Sequence, residues 1–184
     1  MKKKREKIKG RTAAVIGMVL LIVVSIPLGM GLSLVRARNA ANEHFYGSLT
    51  AFSLLEDLSH CSGEAMNMAT LAGKYLDADN EKLQAVRECS SRMEAAERPS
   101  EKAAAYSELT VHMNTLYNAL EGVEMRAEDE AYREEIYADF RMYVDLVSYS
   151  EYNIKAAEFN ETFRNAPGRA IGEWMGVKEL ELFA

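Results

Sequence analysis

Residues 12–35 read TAAVIGMVLLIVVSIPLGMGLSLV, 24 consecutive positions without a charge. As a helix rising about 1.5 Å per residue, the stretch covers roughly 36 Å, enough to cross a hydrocarbon layer of about 30 Å with some tilt. It is predicted to be a transmembrane helix, and residues 36–184 are the soluble part of an anchored protein. A cleaved signal peptide has an apolar core of about 7–15 residues and small residues at its cleavage point. Here the run is longer and ends in Val35-Arg36-Ala37-Arg38, which favours an uncleaved anchor. Pro27 and the glycines are tolerated in a span, where neighbouring groups satisfy freed backbone atoms. Gly17, Gly29 and Gly31 lack the four-residue spacing of a dimerising Gly-x-x-x-Gly face, so nothing in the span itself calls for pairing.

Upstream, residues 1–11 carry seven Lys or Arg against one Glu, whereas Arg36 and Arg38 alone stand close on the other side. The positive-inside bias places the amino terminus in the cytoplasm and residues 36–184 across the membrane, at the cell envelope. The whole chain carries a formal −6; the first eleven residues contribute +6, so residues 12–184 carry −12. A part so acidic repels nucleic acid and anionic headgroups, leaving proteins, cations or basic ligands as partners beside the lipid that holds 12–35. The basic cluster is a topology signal that also attracts anionic lipid.

Downstream, about 149 residues suit one domain with a core of its own. Ala, Leu, Glu, Lys and Met dominate, no proline occurs between Arg36 and Arg98, and no two-residue alternation is sustained, so the expectation is all-α. Three stripes recur at steps of four and three. The first is Leu54, Leu58, Cys61, Ala65, Met68, Ala72 and Tyr75. The second is Leu109, Met113, Leu116, Leu120 and Val123, and the third is Ile136, Phe140, Tyr143, Val147, Ser150, Ile154 and Ala157. Each set lies on one helical face, suited to coiled-coil-like packing.

Cap-forming and helix-breaking residues at 77–80, 98–100, 122–129 and 165–168 predict helices at about 36–77, 80–97, 100–123 and 128–165, then a short helix near 169–175. The resulting architecture is an antiparallel four-helix bundle with two long and two short members, which returns the carboxyl terminus toward the membrane. A three-helix variant, with 36–96 as one helix, is the alternative because the stripe continues through Asp79 and Lys82 to Val86, Cys89 and Met93. Four helices are preferred, since the continuous version puts those two charges in a buried seam. The chain thus divides into a basic flank (1–11), the span (12–35), the bundle (36–165) and an apolar tail (166–184).

Tyr152-Asn153 is followed seven residues later by Phe159-Asn160, then by Phe163, Pro167, Ala170, Gly176 and Phe183. This pattern resembles the C-terminal signature of the LemA family, an aromatic-Asn pair repeated after a heptad and then proline, alanine, glycine and a terminal aromatic. Asn67, Tyr75, Leu83 and Val86 fall at spacings similar to that family's upstream positions, and the family also has its span at the amino terminus. The Arg-Arg-x-Asp-Leu-Ile-Pro stretch expected before Asn67 is replaced by Ser59-His60-Cys61-Ser62-Gly63-Glu64-Ala65-Met66, and Gly-Tyr by Lys74-Tyr75. The contact made by that stretch is therefore not expected here. The resemblance implies a membrane-anchored antiparallel helical bundle of unestablished biochemical activity.

Asparagine is a poor helix former, so Asn153 and Asn160 beside Tyr152 and Phe159 suggest side-chain hydrogen bonds that fix register, or else a polar ligand groove between helices. Trp174, in the apolar tail, suits either a membrane interface or packing on the bundle's own base. Asp77, Asp79, Glu81 and Glu88 match part of a calcium-loop template, but Lys82 stands where the glycine belongs. His44, His60 and His112 form no His-x-x-x-His or Glu-x-x-His pair, so no metal is expected. No catalytic motif and no cofactor motif is present. Cys61 and Cys89 both lie on apolar stripes, and an oxidising exterior permits a disulfide between them; buried free thiols are the favoured alternative, because their distances from the turn near residue 78 differ by about 9 Å along the helices. The acidic run 121–135 reads as a solvated corner. The expected function is a non-enzymatic scaffold or adaptor for envelope proteins, with an extracytoplasmic small-ligand sensor as the rival.

Overall fold

The computed structural model describes residues 2–48, 53–165 and 167–184, with side chains from Ala14 onward. The side chains of the basic flank, residues 49–52 of the helix predicted over 36–77 and Ala166 of the predicted stop lie outside the described residues. The chain is all-helical. The elements are α1 (Lys2–Tyr46), α2 (Leu54–Ala72), α3 (Glu81–Ala95), α4 (Pro99–Leu120), α5 (Ala127–Ser148), α6 (Tyr152–Arg164) and α7 (Gly168–Trp174). They form two compact units, Met1–Asn39 with Phe159–Glu179, and Ala40–Glu158 with Leu180–Ala184.

In the first unit, the amino-terminal helix is long and apolar enough to cross a membrane. Val15, Ile16, Val19, Leu20, Leu21 and Ile22 are all exposed, forming a continuous apolar surface that water does not tolerate on a folded domain. Its other end is covered: a Cβ added to Gly31 would overlap Met175 Sδ, so the absence of a side chain lets Met175 seat there. Arg38 Nε donates to the Lys178 carbonyl at 3.0 Å. Gly172 packs on the Phe163 ring, where a Cβ would collide with Cε2, and Arg164 grips Glu179 through Nε and Nη2 at 2.9 and 2.6 Å.

The second unit holds the bundle of α2, α3, α4 and α5, in which α2 packs on α3, α4 and α5 while α3 also packs on α4. The first two stripes form its core as far as the helices run: Leu58, Cys61, Ala65, Met68 and Ala72 are at most 1 % exposed, and Leu109, Met113, Leu116 and Leu120 are fully buried, while Tyr75 and Val123 lie past the helix ends and are only half-buried. The turn between α2 and α3 lies where Asp77 to Asn80 predict it. Asn80 Oδ1 accepts from the Lys82 and Leu83 amides at 3.1 and 3.4 Å, so the four-helix reading holds and the continuous 36–96 helix does not form. Cys61 and Cys89 are buried free thiols.

Two long helices need correction. The one expected over 36–77 is two helices: α1 stops at Tyr46, Gly47 takes a left-handed φ of 85°, and α2 begins after Ser53. Ser53 Oγ accepts from the Glu56 amide at 3.1 Å, half of a Ser-x-x-Glu capping box that the amino-acid order displays. The helix expected over 128–165 breaks at Tyr149–Glu151, where Ser150 Oγ accepts from the Tyr152 amide at 3.3 Å. The break resets the phase. Ile136, Phe140 and Val147 are buried as the third stripe predicts, but Ile154 is 59 % exposed and Ala157 is on the surface. The buried set beyond the break is Tyr152, Ala156, Phe159 and Phe163.

Candidate functional site

The α5–α6 break turns Tyr152 inward, where its ring lies 4.8 Å from Phe45 and its hydroxyl donates to the Glu181 carbonyl at 2.5 Å. Asn153 stands beside it and binds a main-chain unit at both ends: Nδ2 donates to the Phe183 carbonyl at 2.6 Å, and the Phe183 amide donates to Oδ1 at 2.8 Å. An amide side chain supplies one donor face and one acceptor, which matches a single residue of extended backbone. The Glu181 carboxylate takes Arg98 through Nε and Nη2 at 3.0 and 2.6 Å, and Ser100 donates to it as well. These bonds, Arg98 foremost, hold the Glu181 carboxyl below its ordinary range.

Next to this carboxy-terminal strap, residues 181–183, runs a groove of about 320 Å³ lined by Leu54, Tyr106, Val144, Val147, Ser148, Ser150, Asn153 and Phe183, among others. Burial pushes the Tyr106 phenol up to about 12, so it stays a neutral hydroxyl. The lining is apolar with hydroxyl and amide groups, a composition suited to binding. Of the four residues expected to act together, Tyr152 and Asn153 meet at the strap. Phe159 and Asn160 are buried in the other unit, Phe159 beside Phe163 with ring centres 6.0 Å apart. Trp174, at the end of α7, is 69 % exposed and directly precedes the Met175 that sits on Gly31.

The acidic run is not wholly solvated. Asp129, in the first turn of α5, is buried and accepts from Lys74 Nζ at 2.9 Å, from Arg126 Nε at 2.8 Å and from the Tyr75 hydroxyl. Arg133 is buried as well, 5.1 Å from the centre of the Tyr117 ring and paired with Glu134. The donors around Asp129, Tyr75 first, hold its carboxyl far below the ordinary value of 3.8. A depressed folded value means the stabilisation is present above the unfolded pKa and is lost as pH falls toward the folded one. Asp129→Asn should therefore melt below the parent at pH 7, and the difference should narrow between about pH 4 and pH 2. Thermal melts across that range check it, and a constant difference refutes it.

A second cavity, about 170 Å³, is lined by Leu55, Leu58, Ser59, Ser62, Met93 and Glu94, together with Lys102. Ser62 donates to Glu94 at 2.8 Å, and Lys102 Nζ reaches the Met93 carbonyl at 2.7 Å. Those bonds tie α2 and α4 to α3. Burial lowers the Lys102 pKa. Elsewhere, His60 stacks on Tyr143 with ring centres 4.5 Å apart. His112 is not isolated: ligand atoms of Cys89, Glu108 and His112 lie within 4.8 Å of one another. The visible signal was Glu108-x-x-x-His112, one helical turn apart, whereas the third member comes from a different helix.

No family model matches this chain, and neither a curated protein nor a solved structure matches it.

Proposed function

We propose that this chain is a membrane-anchored helical-bundle protein related to the LemA family, without enzymatic activity of its own, which serves as a scaffold or adaptor at the cell envelope. In this proposal residues 12–35 cross the bilayer once, the amino terminus is cytoplasmic and the bundle lies outside. The exposed apolar surface of α1 supports the crossing, and the seven-to-two excess of basic residues ahead of the span supports that orientation. Exposed Trp174 beside the outer part of the span suits the headgroup region, where an apolar ring and a polar N–H are both satisfied.

The observation that carries the adaptor reading is the Asn153–Phe183 clamp. The side-chain amide of Asn153 holds both main-chain groups of this chain's own Phe183, with aromatic side chains alongside, and recognition of main-chain groups in this way is what a peptide-docking surface requires. The groove beside the clamp favours the second reading, a small-ligand sensor, since its volume suits a metabolite-sized molecule.

One experiment bears on orientation and partner together. Ser148, exposed at the groove, is changed to cysteine, and intact spheroplasts are treated with a membrane-impermeant, photoreactive maleimide; the two native thiols are buried. The expected result is labelling without permeabilisation and, after illumination, a discrete protein adduct that the same probe at exposed Glu88 does not give. Labelling only after permeabilisation overturns the orientation. Labelling without a specific adduct, joined to saturable thermal stabilisation by a metabolite, replaces the adaptor with the sensor.

A further inference from the structure

Cys89 on α3 is buried, while Glu108 and His112 stand one turn apart on α4 and lean toward it. Their three ligand atoms lie within 4.8 Å of one another, and Cys89 Sγ is 3.8 Å from Glu108 Oε2. A cation already occupies this corner. Arg92, one turn beyond Cys89, points Nη2 at the Cys89 sulfur from 3.4 Å and donates to the same Glu108 oxygen.

We propose that Cys89, Glu108 and His112 form a three-ligand site for a borderline-soft divalent cation, with Zn²⁺ as the type, and that Arg92 holds the place of the metal in its absence. Sulfur, imidazole nitrogen and carboxylate oxygen are all ligands for Zn²⁺, at about 2.3, 2.0–2.1 and 2.0–2.2 Å, and three protein ligands leave a fourth tetrahedral position to water. Bond lengths of that size put ligand atoms roughly 3.5 Å apart. Closing from the present spacing takes about 1 Å, within reach of side-chain rotation by exposed Glu108 and half-buried His112.

Charge balances in both states. A neutral thiol, a carboxylate and a guanidinium sum to zero, and so do a thiolate, a carboxylate and Zn²⁺. On binding, the Cys89 proton leaves to solvent, sulfur donates an electron pair to the metal, and Arg92 turns outward with its own charge. The site is independent of the proposed groove and of the protein's orientation.

The test uses the full-length reduced chain in detergent micelles, titrated with Co²⁺ as a spectroscopic substitute and then with Zn²⁺ against a chromogenic chelator. One equivalent should bind with a thiolate-to-cobalt charge-transfer band that Cys61→Ser retains and Cys89→Ser removes. His112→Gln and Glu108→Gln should weaken Zn²⁺ binding by about tenfold or more. Arg92→Gln, a change at a largely exposed side chain, should strengthen it roughly tenfold by removing the competing cation. Helicity measured by circular dichroism confirms that each variant is folded. The proposal is overturned if neither the parent nor Arg92→Gln gives the band, if Cys89→Ser keeps it, or if Arg92→Gln binds no more tightly than the parent.

Discussion

Tyr152→Ala should destabilise the bundle by about 3–5 kcal/mol, the usual cost of removing a fully buried aromatic ring. The ring is 1 % exposed and lies against Phe45, and its hydroxyl holds the Glu181 carbonyl. Alanine leaves a cavity, removes a tilted aromatic pair and leaves a carbonyl of the strap without this donor. In a domain of this size such a loss lowers Tm by roughly 10 °C. Tyr152→Phe separates the contributions: it keeps the ring and loses only the hydrogen bond, for about 1 kcal/mol. If both substitutions cost the same, the ring does not carry the packing assigned to it.

The second large effect is a contrast between two residues that the amino-acid pattern treats alike. Phe140 and Ile154 lie fourteen positions apart on the same four-three stripe, yet Phe140 is fully buried and Ile154 is 59 % exposed. Phe140→Ala should cost about 3–5 kcal/mol, and Ile154→Ala should stay within about 0.5 kcal/mol. Chemical denaturation of both variants checks the pair. A comparable loss at Ile154 would mean that α5 and α6 are one uninterrupted helix with the stripe continuous along it.

That contrast marks where periodicity stops being informative. The first two stripes were legible because each, up to its last member, lies within one helix and keeps its phase; only Tyr75 and Val123 fall past the ends of α2 and α4. At Tyr149–Glu151 the phase slips, although Ser148, Tyr149 and Ser150 are only mild helix breakers, and nothing as strong as a glycine or proline marks the place. Gly47 and the Ser53-x-x-Glu56 box did mark the other break, but the helix-favouring composition on either side outweighed them. The candidate site was less legible still. Asn153 is conspicuous on a helix, but its partner is main chain thirty residues away, and backbone has no side-chain identity to search for. The Asp129 corner was obscured differently: six other acids surround it between residues 121 and 135, and only the approach of Lys74 and Tyr75 from the α2–α3 turn sets it apart.

The clamp on Phe183 also provides a built-in reporter. A backbone proton outside any helix ordinarily trades with solvent quickly, but this one is held by Asn153 Oδ1 at 2.8 Å. Its deuterium uptake measures how often the strap lifts, so one amide resonance, followed over time, records opening of this corner without any label being introduced.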